Sequence, residues 1–257
     1  METAEPSTKS ATKPRRNSTL SNSFTTTPTT LPYDTISYKR STSSVVPTLL
    51  SVVGCHAVFG KPLGDVSFLM EYMDWCSLET QLKTRGALSE SKNADVASNV
   101  TKGLHYLHSK KIVHRDIKPA NLLMNSRMEV KIADVGVSKI VGPTMEYTVC
   151  NSFVGTCAYL SPERFERDRY GYAGDIWSLG VTLMQLYMGH FPLLPAGKKP
   201  DWATLMCAVC FGELPGLPEN VSHEFRSCCL QRDSSKIWTA SQLLTHHFLC
   251  QHPISDS

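Results

Sequence analysis

The first fifty residues contain no glycine. A phosphate-cradling loop of the G-x-G-x-x-G kind needs glycine for its tight turns and for close backbone approach, so this stretch cannot encode one. Acids are almost as scarce. Residues 1–44 hold only Glu2, Glu5 and Asp34 among Ser, Thr and scattered Pro. No periodic apolar face interrupts them, and such a segment buries too little surface to offset its chain entropy. Residues 1–44 are therefore expected to form a disordered tail. Within it Lys13, Arg15 and Arg16 precede Leu20. That basic-then-apolar pattern leaves two readings open, a solubilising tail or a docking peptide for a partner, and the segment as a whole also resembles an organelle transit peptide.

An excess of one charge is missing too. The 26 Lys and Arg against 23 Asp and Glu leave +3, too little to argue for a nucleic-acid partner. No long apolar run marks a leader or a membrane span, so the expectation is a reduced intracellular protein without a membrane partner, in the cytoplasm or alternatively the nucleus. Nine cysteines are scattered along the chain, with one C-x-x-C at Cys207 and Cys210. No second pair or histidine stands at ligand spacing, which favours plain thiols over a metal site.

From residue 45 the composition turns globular. Val52–Phe59 and Val66–Tyr72 read as strands around a turn at Gly60, Pro62 and Gly64. Ser77 opens a short helix, and Glu90–Ser109 carries Val96, Val100, Leu104 and Leu107 at helical spacing. Short strands are expected at Ile112–Val113, Leu122–Met124 and Val130–Ile132. Ile176–Tyr187 is apolar almost throughout, as a central buried helix would be. Trp202–Phe211, His223–Leu230 and Thr239–Phe248 complete the helical part, the last opening with Thr239 and Gln242 in capping-box spacing. The expected organisation is the tail, a small strand-bearing part over 45–74, a mainly helical body over 75–249 and a short tail over 250–257.

The chemistry is concentrated between residues 114 and 136. Phosphoryl transfer needs a carboxylate to accept or orient the attacking hydroxyl, metal-binding oxygens, and positive charge near the moving group. In the string HRDIKPAN, Asp116 fits the first role and Lys118 the last. Asn121 and Asp134 offer the hard oxygens that Mg²⁺ prefers. His114 and Arg115 fit a part in shaping the loop. Asp-Val-Gly follows Asp116 by eighteen residues, then SPE at 161–163 and DIWSLG at 175–180. Singly, each of these residues has an ordinary structural explanation. Jointly and in this order they do not arise by chance.

From about residue 45 to 249 the chain resembles a protein kinase, and within that group a plant mitogen-activated protein kinase kinase. The closer likeness rests on MEYMD at 70–74, HRDIKPANLL, KIADVGVSKI, NSFVGTCAYLSPERF and WTASQLL. The resemblance implies an α+β kinase fold with a largely complete, mainly helical C-lobe. It implies ATP and Mg²⁺ as cofactors, a MAP kinase as substrate or docking partner, and an upstream MAP kinase kinase kinase. It makes Met70 the gatekeeper, Glu71–Met73 the hinge that meets adenine, and Leu123 the floor beneath the ring. Thr156 would contact the catalytic Asp and Lys, Ser161–Glu163 would anchor the substrate-binding segment, and Asp175 would hold the catalytic loop.

Several positions depart from the family pattern. The lid glycines are absent. Lys39 lies in no apolar strand, and no glutamate follows it before Glu71. The N-lobe is therefore expected to be reduced to about two strands, without the strand lysine and its helix glutamate. Val135 replaces the Phe of Asp-Phe-Gly, and Trp75 and Cys76 replace small residues. Trp75 would either crowd the ribose side of the cleft or pack on the helix beginning at Ser77. Of the two activating hydroxyl positions Ser152 fits one, while Glu146 fills the other. Ile237 stands where an arginine would pair with Glu163. Two readings follow: a dual-specificity kinase impaired in transfer, or alternatively an inactive docking pseudokinase or the product of a truncated gene model.

Overall fold

Val96, Val100, Leu104 and Leu107 are all buried on one face of a twenty-residue helix, and the larger part of the molecule is assembled around that face. The computed structural model describes residues 22–24, 51–60, 66–134, 139–140, 157–165, 171–195, 201–228 and 230–250. The chain divides into two compact units, one of Met1–Ile36 with Cys55–Tyr72, the other of Ser37–Gly54 with Met73–Ser257.

The small unit is a three-stranded antiparallel sheet. Strand β2 (Cys55–Gly60) pairs with β3 (Val66–Met70), placing Phe59 opposite Ser67, with an irregularity between Cys55 and Ala57. Strand β1 (Asn22–Phe24) lies on the other edge of β3, with Ser23 opposite Ser67. Two strands were expected and the described sheet has three. The extra one comes from the Ser/Thr-rich stretch, where no alternating apolar pattern announces it. It is a strand because β3 offers it a ladder, not because its own sequence demands one. The rest of residues 1–44 lies outside the described residues.

The strand expected over Val52–Phe59 is divided. Its second half is in β2, but Val52 and Val53 belong to the large unit. There the Val53 N–H donates to Ile132 O at 2.9 Å and the Ile132 N–H to Ser51 O at 2.9 Å, a short parallel bridge. The apolar run is continuous in sequence, and Gly54 separates its two destinations.

In the large unit, helix α1 (Leu78–Arg85) starts at Ser77, whose side chain accepts the Thr80 N–H. Helix α2 (Glu90–Ser109) starts at Ser89 in the same way. Strands β4 (Ile112–Val113), β5 (Leu122–Met124), β6 (Val130–Ile132) and β7 (Lys139–Ile140) form two small antiparallel pairs, β4 with β7 and β5 with β6. Helix α3 (Pro162–Phe165) is a single turn. Helix α4 (Tyr172–Met188) is buried along most of its length, and Gly189 caps it with a left-handed φ of 81°, which glycine adopts without steric penalty. Helix α5 (Trp202–Met206) runs on into a π turn, Cys207–Phe211. Helices α6 (His223–Cys228), α7 (Ala240–Leu243) and α8 (His247–Cys250) follow, with the expected capping box at Thr239 and Gln242 formed in full. One core cluster gathers α2, the inner face of α4, β5, β6 and the last helices, and a second lies around Trp177, Val181, Leu205 and Val209. Among the described residues no helix is long and apolar enough to cross a membrane.

Candidate active site

The loop between β4 and β5 owes its shape to one buried carboxylate. Asp175, in the first turn of α4, is fully buried. Its Oδ2 accepts the His114 N–H at 2.9 Å and its Oδ1 the Arg115 N–H at 2.8 Å. The same Oδ2 meets His108 Nε2 of α2 at 2.9 Å. Arg115 sits at φ 74°, a region that costs a non-glycine residue backbone energy. Two charge-assisted bonds at this point offset that strain, and a carboxylate in the low-dielectric interior makes them stronger than neutral bonds.

His114 ties the loop to the residue before Asp134. Its Nε2 donates to Ala133 O at 3.0 Å, and its Nδ1 accepts the Asp116 N–H at 3.3 Å. A single neutral tautomer, protonated at Nε2, satisfies both. The Ala133 N–H in turn donates to Asn121 O at 2.8 Å. The two ends of the constellation, 114–121 and 133–134, are thus joined by two bonds.

Asp116, Lys118 and Asn121 come together. Lys118 Nζ and Asn121 Nδ2 both donate to Asp116 Oδ2, each at 2.8 Å, and Asn121 Nδ2 also reaches Asp116 O at 2.8 Å. Asp116 is mostly buried, so its carboxylate is aimed by these partners. Asn121 turns its amide nitrogen toward Asp116, and its side-chain carbonyl oxygen is the atom it would offer a metal. Asp134 is exposed, at φ 59°, and presents its carboxylate to solvent. An amide oxygen and an accessible carboxylate at the two joined ends fit a hard divalent cation such as Mg²⁺. Bound there with ATP, the ion would neutralise phosphate charge. Asp116 would orient an acceptor hydroxyl, and Lys118 would face the transferred group.

The residues expected around adenine fall in both units. Met70 ends β3 and Glu71 follows it in the small unit, both half-buried; Met73 is buried and Leu123 half-buried in the large one. Leu123 bridges to Ser77, while the Trp75 N–H donates to Met124 O at 3.0 Å and the Met124 N–H to Cys76 O at 2.9 Å. Trp75 packs against the first core cluster, with the Arg85 guanidinium of α1 4.6 Å from its ring centre. Of the two placements open to it from sequence, it takes the one on α1.

Glu163 lies in α3, and its Oε2 is buried without a hydrogen-bond partner among the described residues. Ile237 is half-buried and packs against both core clusters. Val135, Glu146, Ser152 and Thr156 lie outside the described residues. Two features of the site had no sequence signal. His108 is one of two histidines on α2, and only the fold brings it to Asp175. Tyr159 donates its hydroxyl to Gln185 Oε1 of α4 at 2.5 Å, and its carbonyl accepts Ser178 Oγ at 2.8 Å. Burial, with the charges of Glu79 and Asp116 adding to it, pushes the Tyr159 phenol well above its usual range and keeps it a donor.

The model of the protein kinase domain matches residues 49–249. The chain belongs to the protein kinase domain family. Its kinase domain is 61% identical over 207 residues to mitogen-activated protein kinase kinase 9 of Arabidopsis thaliana, covering 77% of this chain and 65% of that protein. Mitogen-activated protein kinase kinase 7 of the same plant is 61% identical over 206 residues, covering 77% and 66%. Mitogen-activated protein kinase kinase 1c of Physcomitrium patens is 41% identical over 194 residues, covering 72% and 56%. The chain thus spans somewhat under two thirds of the length of these relatives. Its architecture is kinase-like, with a largely helical C-lobe in the large unit and a reduced N-lobe.

Proposed function

We propose that this protein kinase domain serves a mitogen-activated protein kinase cascade. Its partner is a MAP kinase, and its ancestral chemistry is ATP-dependent phosphate transfer to Thr and Tyr of that partner, much weakened in this chain. The matching regulator is an upstream MAP kinase kinase kinase, with Ser152 as its target. Adenine would meet Met70, Glu71, Met73 and Leu123, with Mg²⁺ on Asn121 and Asp134.

The reading is carried by a contrast. Asp116, Lys118 and Asn121 are assembled within hydrogen-bond distance of one another, whereas the first fifty residues hold no glycine. The substrate side of the reaction keeps its machinery, and no glycine-rich cradle for phosphate can be read in those fifty residues. Loss of one preorganised donor to a transition state costs about 2.7–4 kcal/mol, or about 10²–10³ in rate, and two such losses need not add.

The test is transfer of labelled phosphate from Mg·ATP to a purified plant MAP kinase by the 257-residue chain. Turnover about 100-fold or more below that of a full-length relative is expected, falling to background in Asp116→Asn. Turnover equal to the relative's would overturn the impairment. Complete absence of both nucleotide binding and turnover would leave the alternative, a docking pseudokinase.

A further inference from the structure

Cys55, Cys76 and Cys250 are exposed and solitary in sequence, whereas Cys207 and Cys210 stand three apart in one turn. Both belong to the π turn that continues α5. Helical residues three apart have their Cα atoms about 5–6 Å from one another, inside the span of roughly 4.4–6.8 Å that a disulfide bridges. Their Cβ atoms start about 5–6 Å apart and must close to about 4 Å. A bond between them therefore asks for a local tightening of this turn and for no rearrangement of the fold.

The two thiols differ as a reacting pair requires. Cys207 is exposed, while Cys210 is half-buried with its Sγ 3.9 Å from Pro162 O of α3. An oxidant reaches the accessible thiol, and a second thiol close behind it closes a disulfide before oxidation goes further. The turn itself is wide, the Gly212 N–H reaching back five residues to Cys207 O at 2.7 Å. Such π turns are rare and mark local irregularities at functional positions. Drawing Cys210 toward Cys207 tightens the turn and withdraws Sγ from Pro162. The Arg232 guanidinium fixes Val209 O at 2.9 Å, Ala208 O at 3.3 Å and Gly212 O. The turn is thus held against unwinding, and its contact with α3 is the one to yield. Trp202 of α5 packs on Phe165 of α3, ring centres 4.9 Å apart, and reports on that junction.

We propose that Cys207 and Cys210 are a dithiol site for hydroperoxides, closing to a disulfide within the turn and loosening α3 from α5. The Cys207 thiolate attacks the terminal oxygen of the hydroperoxide, the O–O bond breaks, alkoxide or hydroxide leaves, and a sulfenic acid remains on Sγ. The Cys210 sulfur then attacks that Sγ, the S–O bond breaks, and water leaves with the second thiol's proton. Two thiols lose two electrons and two protons, and the hydroperoxide is reduced to water and an alcohol, or to two waters where it is hydrogen peroxide.

The test is the whole chain treated with one equivalent of hydrogen peroxide. The tryptic fragment ending at Arg226 holds Cys207 and Cys210 and no other cysteine. Its mass is expected to fall by about 2 Da, the two hydrogens, and to return with dithiothreitol. Cys210→Ser should abolish that fall and leave Cys207 open to a sulfenic-acid reagent. Tryptophan emission of the unaltered chain should shift on oxidation, and the shift should vanish in Trp202→Phe and in Cys210→Ser. A fragment unchanged in mass, oxidised only by added oxygen or joined to another fragment overturns the site. A mass loss without a shift in emission overturns the loosening of α3. The mass measurement needs no variant, so it decides the site even where Cys210→Ser does not fold.

Discussion

Two acids of the large unit show how differently a buried carboxylate can be used. Asp175 accepts from His108 and from two consecutive backbone N–H groups, so its charge is stabilised by donors that cannot move away. Glu163 has a buried Oε2 that meets no donor among the described residues, and an unsatisfied buried acceptor costs about 1–3 kcal/mol. On the kinase resemblance, Ile237 stands where an arginine would pair with Glu163, and its side chain packs against both core clusters. Glu163→Gln should therefore leave the urea midpoint unchanged or raise it, by about 1 kcal/mol at most. In an Ile237→Arg background the same substitution should become destabilising, because the charge then has a partner to lose. A loss of more than about 1 kcal/mol in the unaltered background would show that Glu163 is already paired.

At the scale of elements, helix α2 is organised around a position with no side chain. A Cβ on Gly103 would stand 2.7 Å from Ser51 O and 2.8 Å from Ile132 Cδ1. The Ser51 carbonyl cannot retreat, since it accepts the Ile132 N–H in the bridge that docks Ser51–Val53. Alanine gains about 1 kcal/mol of helix propensity over glycine, but overpacking costs about 1–3 kcal/mol. Gly103→Ala should destabilise the large unit by about 1–2 kcal/mol, measured by chemical unfolding, with faster amide exchange at Val53 and Ile132. The limits of α2 were legible in the sequence because a cap and a helical period agree there, and so were the short strands β4, β5 and β6. The docking of Val52–Val53, strand β1 and the turn of α3 were not, because each is fixed by a remote partner rather than by its own pattern. The same division holds within the site. The string at 114–121 and Asp134 announce themselves, whereas His108 and Tyr159 acquire their roles only where each meets α4.

For the molecule as a whole, stability rests on the large unit, and its last helices are closed by a histidine that must stay neutral. His246 is buried, and its Nδ1 accepts the Phe248 N–H at 3.2 Å, while Trp238 meets its ring edge-on at 5.0 Å. Burial first, then the charges of His247 and His223, hold its pKa below the ordinary 6.5, against an opposing pull from Glu224. The sign follows directly. With the folded value depressed, the unfolded chain takes up a proton before the folded one does, so stability is full above pH 6.5 and declines as pH falls below it toward the folded value. Protonation at Nδ1 would also remove the acceptor that holds the start of α8. The carboxylates of Asp74, Asp201 and Asp233 have depressed values too, each through hydrogen bonds from a neighbour, but their window opens only below the ordinary 3.8. Acid unfolding should therefore proceed in two stages. His246→Asn keeps a short acceptor for the Phe248 N–H and removes the titration. In urea midpoints measured across the pH range it should abolish the upper stage and leave the lower one in place. An unchanged upper stage would assign that loss to other groups, and place His246 outside the acid sensitivity of the fold.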